Sequence, residues 1–169
     1  MAVYSYVSIR ITPNGIYKNG LLQVAGSYTC GVNRGSSFFA GESDGSVTSV
    51  YGFLLNNVLD KGNQTDGLTT PINFMINVGE GTLEGIDRIY YGNQTNHFYT
   101  DDDFESIVNL GVYINGQPKS AVYVGNNIVL VGSNTGYVSI SSDNCETWTA
   151  VPNNPQLSVS SINCLTKIS

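Results

Sequence analysis

The sequence predicts an all-β fold made of repeated strand-and-turn units, and three observations predict it. Helix formers are scarce: Ala occurs five times and Lys plus Arg seven times in 169 residues, against 19 Gly and 11 Tyr. Glycine turns and aromatic strand formers favour short strands joined tightly. Three segments share one pattern: FFAGESDGSVTSV from Phe38, IYYGNQTNHFYTD from Ile89 and VLVGSNTGYVSIS from Val129. Each has an apolar run, a glycine, a polar turn and then a β-type residue. Finally, 169 residues fit one domain and suffice to bury a core.

The repeat glycines are Gly41, Gly92 and Gly132, read as turn glycines, and six residues after them stand Val47, Phe98 and Val138. This spacing predicts three hairpins of one loop length. Asp44-Gly45 and Thr135-Gly136 supply residues that tolerate positive φ. A period of about 40 to 50 residues with several short strands per unit marks a β-propeller blade. Strands are expected at 21–28, 37–41, 46–51 and 53–58 in the first unit. The middle unit has them at 72–78, 88–92, 97–100 and 104–110, the last at 120–124, 128–132, 137–141 and 147–151. DKGNQTDGLTTP, 60–71, reads as an inserted loop. An N-terminal hairpin over 3–17 and a C-terminal strand over 157–165 are left over. The reading is therefore one propeller-like domain over 1–169, with units 21–58, 72–110 and 120–151. Its ends, 1–20 and 152–169, could pair into a fourth blade.

Between the last two strands of the third unit lies SSDNCETW, 141–148, which includes the only Trp. It resembles the Asp-box, Ser-x-Asp-x-Gly-x-Thr-Trp, of sialidase-like (bacterial neuraminidase repeat) propellers. Ser141, Asp143, Thr147 and Trp148 match, and Cys145 stands where the family has Gly. The middle unit carries a degenerate copy, TDDDFESI, in which Thr100, Asp102 and Ser106 match and Phe104 replaces Gly. The first unit lacks the box. The resemblance implies a structural role away from any catalytic face: the Asp closes a turn by accepting N–H bonds, and the Trp packs between blades. A non-Gly residue at positive φ is disfavoured by about 1 kcal/mol, so the turn is expected to be built differently at Cys145 and Phe104.

The chemistry of that family is not expected here. Its catalytic site uses three arginines, and this chain has three in all, Arg10, Arg34 and Arg88, of which Arg10 lies in IRITP. A sialidase ring also needs more blades than this length holds. His97 is the only histidine, so neither a His-based metal site nor a Ser-His-Asp triad has a second candidate, and its place in a polar turn suggests solvation. Asp101, Asp102, Asp103 and Glu105 lack the spacing of a calcium loop and read as a solvated acidic turn. Glu80, Glu84 and Asp87 in a Gly-rich connection read as surface, although two carboxylates could serve glycoside chemistry. No cofactor and no metal site is expected.

A net charge of −6 and an isoelectric point near 4.4 argue against nucleic acid and anionic membrane surfaces. No apolar run approaches a spanning helix, and the N-terminus alternates like a strand rather than a signal peptide. Cys30, Cys145 and Cys164 read as free thiols, with one disulfide plus a free thiol as the alternative. The sequons at Asn63 and Asn93, both within GNQT, read as Asn-rich turns unless the chain meets a glycosylating pathway. The expected function is a non-enzymatic structural or interaction module that binds proteins or itself. Its polar, weakly charged composition is common in virion, phage-tail and extracellular proteins. The alternative is a carbohydrate-binding propeller using Tyr and Trp as sugar platforms, and a glycosidase comes third.

Overall fold

The computed structural model describes residues 9–34, 37–51, 57–79, 88–113, 115–151 and 160–167. They form fifteen strands and no helix. Three make the first sheet: β1 (Ile9–Thr12), β2 (Gly15–Lys18) and β3 (Leu21–Ala25). The second sheet holds β4 (Tyr28–Arg34), β5 (Ser37–Glu42), β6 (Ser46–Tyr51) and β7 (Asn57–Asn63). The third holds β8 (Phe74–Val78), β9 (Arg88–Gly92), β10 (Asn96–Thr100) and β11 (Val108–Val112). The fourth holds β12 (Pro118–Gly125), β13 (Ile128–Ser133), β14 (Val138–Ser141) and β15 (Thr149–Ala150). Every sheet is an antiparallel meander in chain order.

The central strands are apolar on both faces, and this stacks the sheets. Successive side chains of a strand point to opposite sides. Phe38, Ala40 and Val50 meet Ile16 of the first sheet, backed by the partly buried Ile9, Ile11 and Val24. Phe39 and Val47 turn the other way, onto Met75, Ile89, Tyr91 and Phe98 of the third sheet. Phe74, Val78 and Tyr90 face Val129 and Val131 of the fourth. Three apolar layers thus join four sheets in succession, and the first strands β1, β4, β8 and β12 lie side by side in that order. Among the described residues β1 makes no comparable approach to β12. The architecture is all-β and propeller-like.

The repeat glycines lie within β5, β9 and β13 and are not turn residues. Each is needed because something packs where its side chain would be. A Cβ on Gly41 would stand 2.9 Å from Ile72 Cβ, one on Gly92 2.7 Å from the Phe74 ring, and one on Gly132 2.5 Å from Ile162 Cγ2. The positive φ falls instead on Gly45 and Gly136 of the following turns, as their dipeptides predict. Gly41 pairs with Val47 and Gly132 with Val138, but Gly92 pairs with His97. The middle hairpin is therefore one residue shorter than its neighbours.

The first unit differs most from expectation. Residues 21–28 are not one strand: β3 closes the first sheet at Ala25, and Tyr28 opens β4. The inner strand of the second sheet is 28–34, where Gly31 breaks the apolar pattern. Gly31 is required there, since a Cβ would meet Ile11 Cδ1 at 2.3 Å and Phe38 Cζ at 2.8 Å. The outer strand is Asn57–Asn63, so part of the expected loop over 60–71 is strand, and 52–56 lie outside the described residues. In the middle unit 104–107 is turn, and β11 starts at Val108. Residues 1–8 and 152–159 are outside the description. Residues 160–167 form no assigned strand and meet the fourth sheet, not the first, through Ile162.

Candidate functional site

Two turns are built identically, one after β10 and one after β14. In the second, Ser141 Oγ donates to Asp143 Oδ1 at 2.8 Å and accepts from Cys145 N at 2.9 Å. Asp143 accepts from Thr147 N at 2.9 Å through Oδ1 and from the Thr147 hydroxyl through Oδ2. In the first, Thr100 Oγ1 donates to Asp102 Oδ1 at 2.8 Å and accepts from Phe104 N at 3.1 Å. Asp102 accepts from Ser106 N at 2.9 Å and Ser106 Oγ at 2.6 Å. Burial raises the pKa of both carboxyls, but these hydrogen bonds more than offset it, and both are held below their ordinary value.

Phe104 and Cys145 take the glycine conformation, with φ of 65° and 74°. The expectation of a differently built turn is thus corrected. The positive φ costs about 1–2 kcal/mol. Burying a Phe side chain returns about 1.5–3 kcal/mol, and Phe104 is 3% exposed among Phe39 and Tyr91. Cys145 is likewise enclosed in the layer between the third and fourth sheets.

The acidic turn at 101–105 is exposed to solvent and also acts as a staple between sheets. Arg88 grips Asp101 with Nε and Nη2, both at 2.8 Å, and reaches Asn144 O with Nη1 at 2.7 Å. Arg34 comes from the second sheet to Asp103 at 2.8 Å and to Asp101 O at 3.0 Å. Lys61, also from the second sheet, pairs with Glu105. Among the described residues no three His, Cys, Asp or Glu side chains gather as a metal site. Glu80, Glu84 and Asp87 lie outside the described residues.

Trp148 sits between sheets but is only half-buried. Its ring stacks on Tyr90 of the third sheet at 5.1 Å and 28°, and its Nε1 donates to Cys145 O at 3.2 Å. His97 lies in the same cluster, edge-on to Tyr90, Tyr113 and Trp148. It is 4% exposed, which corrects the expectation of a solvated turn residue. The shorter middle hairpin draws it into β10, and desolvation lowers its pKa to about 4. Its Nδ1 is 3.1 Å from Tyr90 Oη.

The two sequons are turn formers. Asn93 is fully buried, and its Oδ1 accepts from Thr95 N and Asn96 N at 2.9 and 2.7 Å. Asn63 is exposed but committed: Oδ1 accepts from Thr65 N and Gly67 N, while Nδ2 donates to Asp44 O and Leu68 O. All three cysteines are free thiols. Burial pushes Cys30 up to about 12 and Cys145 higher still, which makes both poor nucleophiles. Cys164 is exposed.

The inner strands β4, β8 and β12 line an open groove of about 470 Å³, with Val32, Asn33, Ile76, Asn77, Val122 and Tyr123 on its walls. Asn77 Oδ1 and Tyr123 Oη are buried without a protein partner. A second feature escaped sequence reasoning. Ile162 N donates to Ser133 O at 2.9 Å, and Ser120 Oγ donates to Ile162 O at 2.9 Å. This docks the C-terminal segment over Gly132. The dipeptide Ile-Asn stands at both Ile72-Asn73 and Ile162-Asn163, but it also occurs at 76–77 and 114–115, so the sequence did not single this segment out.

No protein-family profile and no curated protein matches this chain significantly. Solved structures do. The fold is similar to the computationally designed Ika4 protein, with a TM-score of 0.60 and 13% identity over 85% of this chain and 81% of that one. It is similar to YCF48, solved bound to D1 peptide, with a TM-score of 0.65 and 15% identity over 88% of this chain. It is also similar to the extracellular domain of BT4673 from B. thetaiotaomicron, with a TM-score of 0.64 and 12% identity over 85% of this chain. The match spans 52% of the YCF48 chain and 20% of the BT4673 chain. At these identities the likeness shows the fold alone.

Proposed function

We propose that this chain is a non-catalytic β-propeller-type interaction module, and that the turns at 100–107 and 141–148 are Asp-box turns that hold its sheets together. The observation that carries the reading is the docking of Ile162 over Gly132. A sheet in this stack holds a further segment of polypeptide through a main-chain bond and a filled glycine gap. Five acids of the two turns are occupied in support of this role: Asp101 on Arg88, Asp103 on Arg34, Glu105 on Lys61, and Asp102 and Asp143 within their own turns. Four of the eleven tyrosines, Tyr28, Tyr90, Tyr91 and Tyr113, are buried in the core and offer no face to a sugar. The peptide bound by the fold neighbour YCF48 is consistent with a polypeptide partner. The polar, weakly charged composition suits a place in a larger assembly such as a virion, a phage tail or an extracellular structure.

The test sets the folded chain on an array of extended synthetic peptides, beside a glycan array and a panel of fluorogenic glycosides. Peptide retention by the folded chain supports the module. Glycan retention without peptide retention, or glycoside turnover, overturns it.

A further inference from the structure

We propose that the layer between the third and fourth sheets is an acid-sensitive seam, which opens when His97 takes up a proton while the layer between the second and third sheets stays closed. Such a seam needs no partner and stands apart from the interaction reading. The chain has one histidine. His97 pairs with Gly92 and Tyr99 with Tyr90, so His97, Tyr99, Tyr90 and Arg88 share the face of the third sheet that meets the fourth. The His97 ring is packed by Tyr90 from β9, Tyr113 from the connection into β12, and Trp148 from the turn before β15. It therefore bridges the seam. Its hydrogen-bond partner is Tyr90 Oη, 3.1 Å from Nδ1, and among the described residues no carboxylate is bonded to it.

The groups around the ring do not favour a second cation beside Arg88. The acids of this junction are committed elsewhere: Asp101 and Glu146 to Arg88, at 2.8 and 3.8 Å, and Asp143 to Ser141 and Thr147. Burial pushes the Tyr90, Tyr113 and Cys145 pKa values up, which keeps all three neutral. Tyr99 lies under Arg88, and the Tyr123 hydroxyl is buried without a protein partner. A protonated ring in the closed seam is thus desolvated and unpaired, and burial lowers the His97 pKa from 6.5 to about 4. An open seam returns the ring to water. Opening then takes up a proton, and the open fraction grows roughly 30-fold from pH 7.5 to 5.0. Ordinary carboxyls largely keep their charge over that range.

The effect falls on one junction. The second and third sheets are joined by Arg34 on Asp103, Lys61 on Glu105, and Tyr91 Oη on Gln64 O at 2.8 Å, with no imidazole among them. The third and fourth are joined by Arg88 on Asn144 O at 2.7 Å and Asn73 Nδ2 on Pro118 O at 2.9 Å, with the aromatic cluster around His97 between. The cysteines separate the two layers. Cys145 is enclosed in the seam, Cys30 packs against the layer between the second and third sheets, and Cys164 is exposed.

The experiment labels the full chain with a dipyridyl disulfide, which reacts with thiols in mild acid, at pH 7.5 and pH 5.0. Mass spectrometry assigns the label to each cysteine. Rates at Cys145 and Cys30 are divided by the rate at Cys164, which removes the direct effect of pH on a thiol. The relative rate at Cys145 is expected to rise roughly 30-fold and that at Cys30 to stay within about twofold. His97→Phe keeps an aromatic ring without a titrating group and is expected to abolish the rise. Should that variant fail to fold, the wild-type comparison of Cys145 with Cys30 decides alone. A flat rate at Cys145, a parallel rise at Cys30, or a rise that survives in folded His97→Phe overturns the proposal.

Discussion

Arg88 donates from Nη1 to the carbonyl oxygen of Asn144 at 2.7 Å, so a side chain of the third sheet closes on the turn of the fourth. The same guanidinium holds Asp101 with two parallel bonds and lies 3.6 Å over the Tyr99 ring. Its side chain is 6% exposed. Arg88→Ala is expected to lower stability by about 2–4 kcal/mol, since it leaves a partly buried carbonyl without its donor and removes charge-assisted bonds. Asp101 is 46% exposed, which keeps the cost below that of a fully buried pair. Arg88→Lys should recover less than half of the loss, because an ammonium cannot form the planar fork. Urea midpoints of the three proteins check this.

The turn carboxylates give a dependence on pH. Asp102 and Asp143 have folded pKa values below their unfolded ones. The stability they add is therefore present above the unfolded value and is lost as pH falls through the folded one. Asp143→Ala and Asp102→Ala should each cost about 1–3 kcal/mol at neutral pH, through the lost charge-assisted hydrogen bonds from Thr147 and Ser106. In the double variant the acid-side decline in unfolding free energy below pH 4 should become shallower. An unchanged slope counts against the carboxylates as its source.

These turns were legible in the sequence because their bonds span only two to four residues, from Ser141 to Asp143 and from Asp143 to Thr147. Their tolerance of Phe104 and Cys145 was not legible, because it depends on which apolar layer encloses those side chains. The staples were invisible for the same reason: Arg34 and Asp103 lie 69 residues apart, and Lys61 and Glu105 lie 44 apart. The repeat glycines were found but read as turns. Pattern alone registers a missing side chain without showing that Ile72 or Ile162 fills the space. Strands were placed best where both faces are apolar, as at Arg88–Gly92. They were placed worst at 21–34, where Gly26 and Gly31 interrupt the period.

His97 supplies a second pH effect over a different window. Burial lowers its pKa from 6.5 to about 4, so the folded chain keeps it neutral where the unfolded chain protonates it. Its contribution is whole above the ordinary value of about 6.5 and declines as pH falls toward 4. The chain has one histidine. A single imidazole signal followed by NMR should therefore titrate well below 6.5 in the folded protein and near 6.5 in urea. A folded-state midpoint near 6.5 would place the ring in water and undo the packing against Tyr90 and Trp148.

Two glycines should respond to the same substitution for different reasons. Gly41 has strand-like φ, and a Cβ there would lie 2.9 Å from Ile72 Cβ and 3.0 Å from Cys30 Sγ. Gly62 has φ of +70° and open space around it. Gly41→Ala therefore pays by overpacking, about 1–3 kcal/mol, while Gly62→Ala pays by backbone strain, about 1–2 kcal/mol. The causes separate in double variants. Ile72→Ala makes room for the new methyl and should recover part of the Gly41→Ala loss, so the pair costs less than the sum of the single changes. The same Ile72→Ala should leave the Gly62→Ala loss additive within about 0.5 kcal/mol. Chemical denaturation of the five variants gives both coupling energies. Additivity at Gly41 would show that Ile72 does not fill the space over it, and the contact that also serves Gly132 and Ile162 would lose its physical basis.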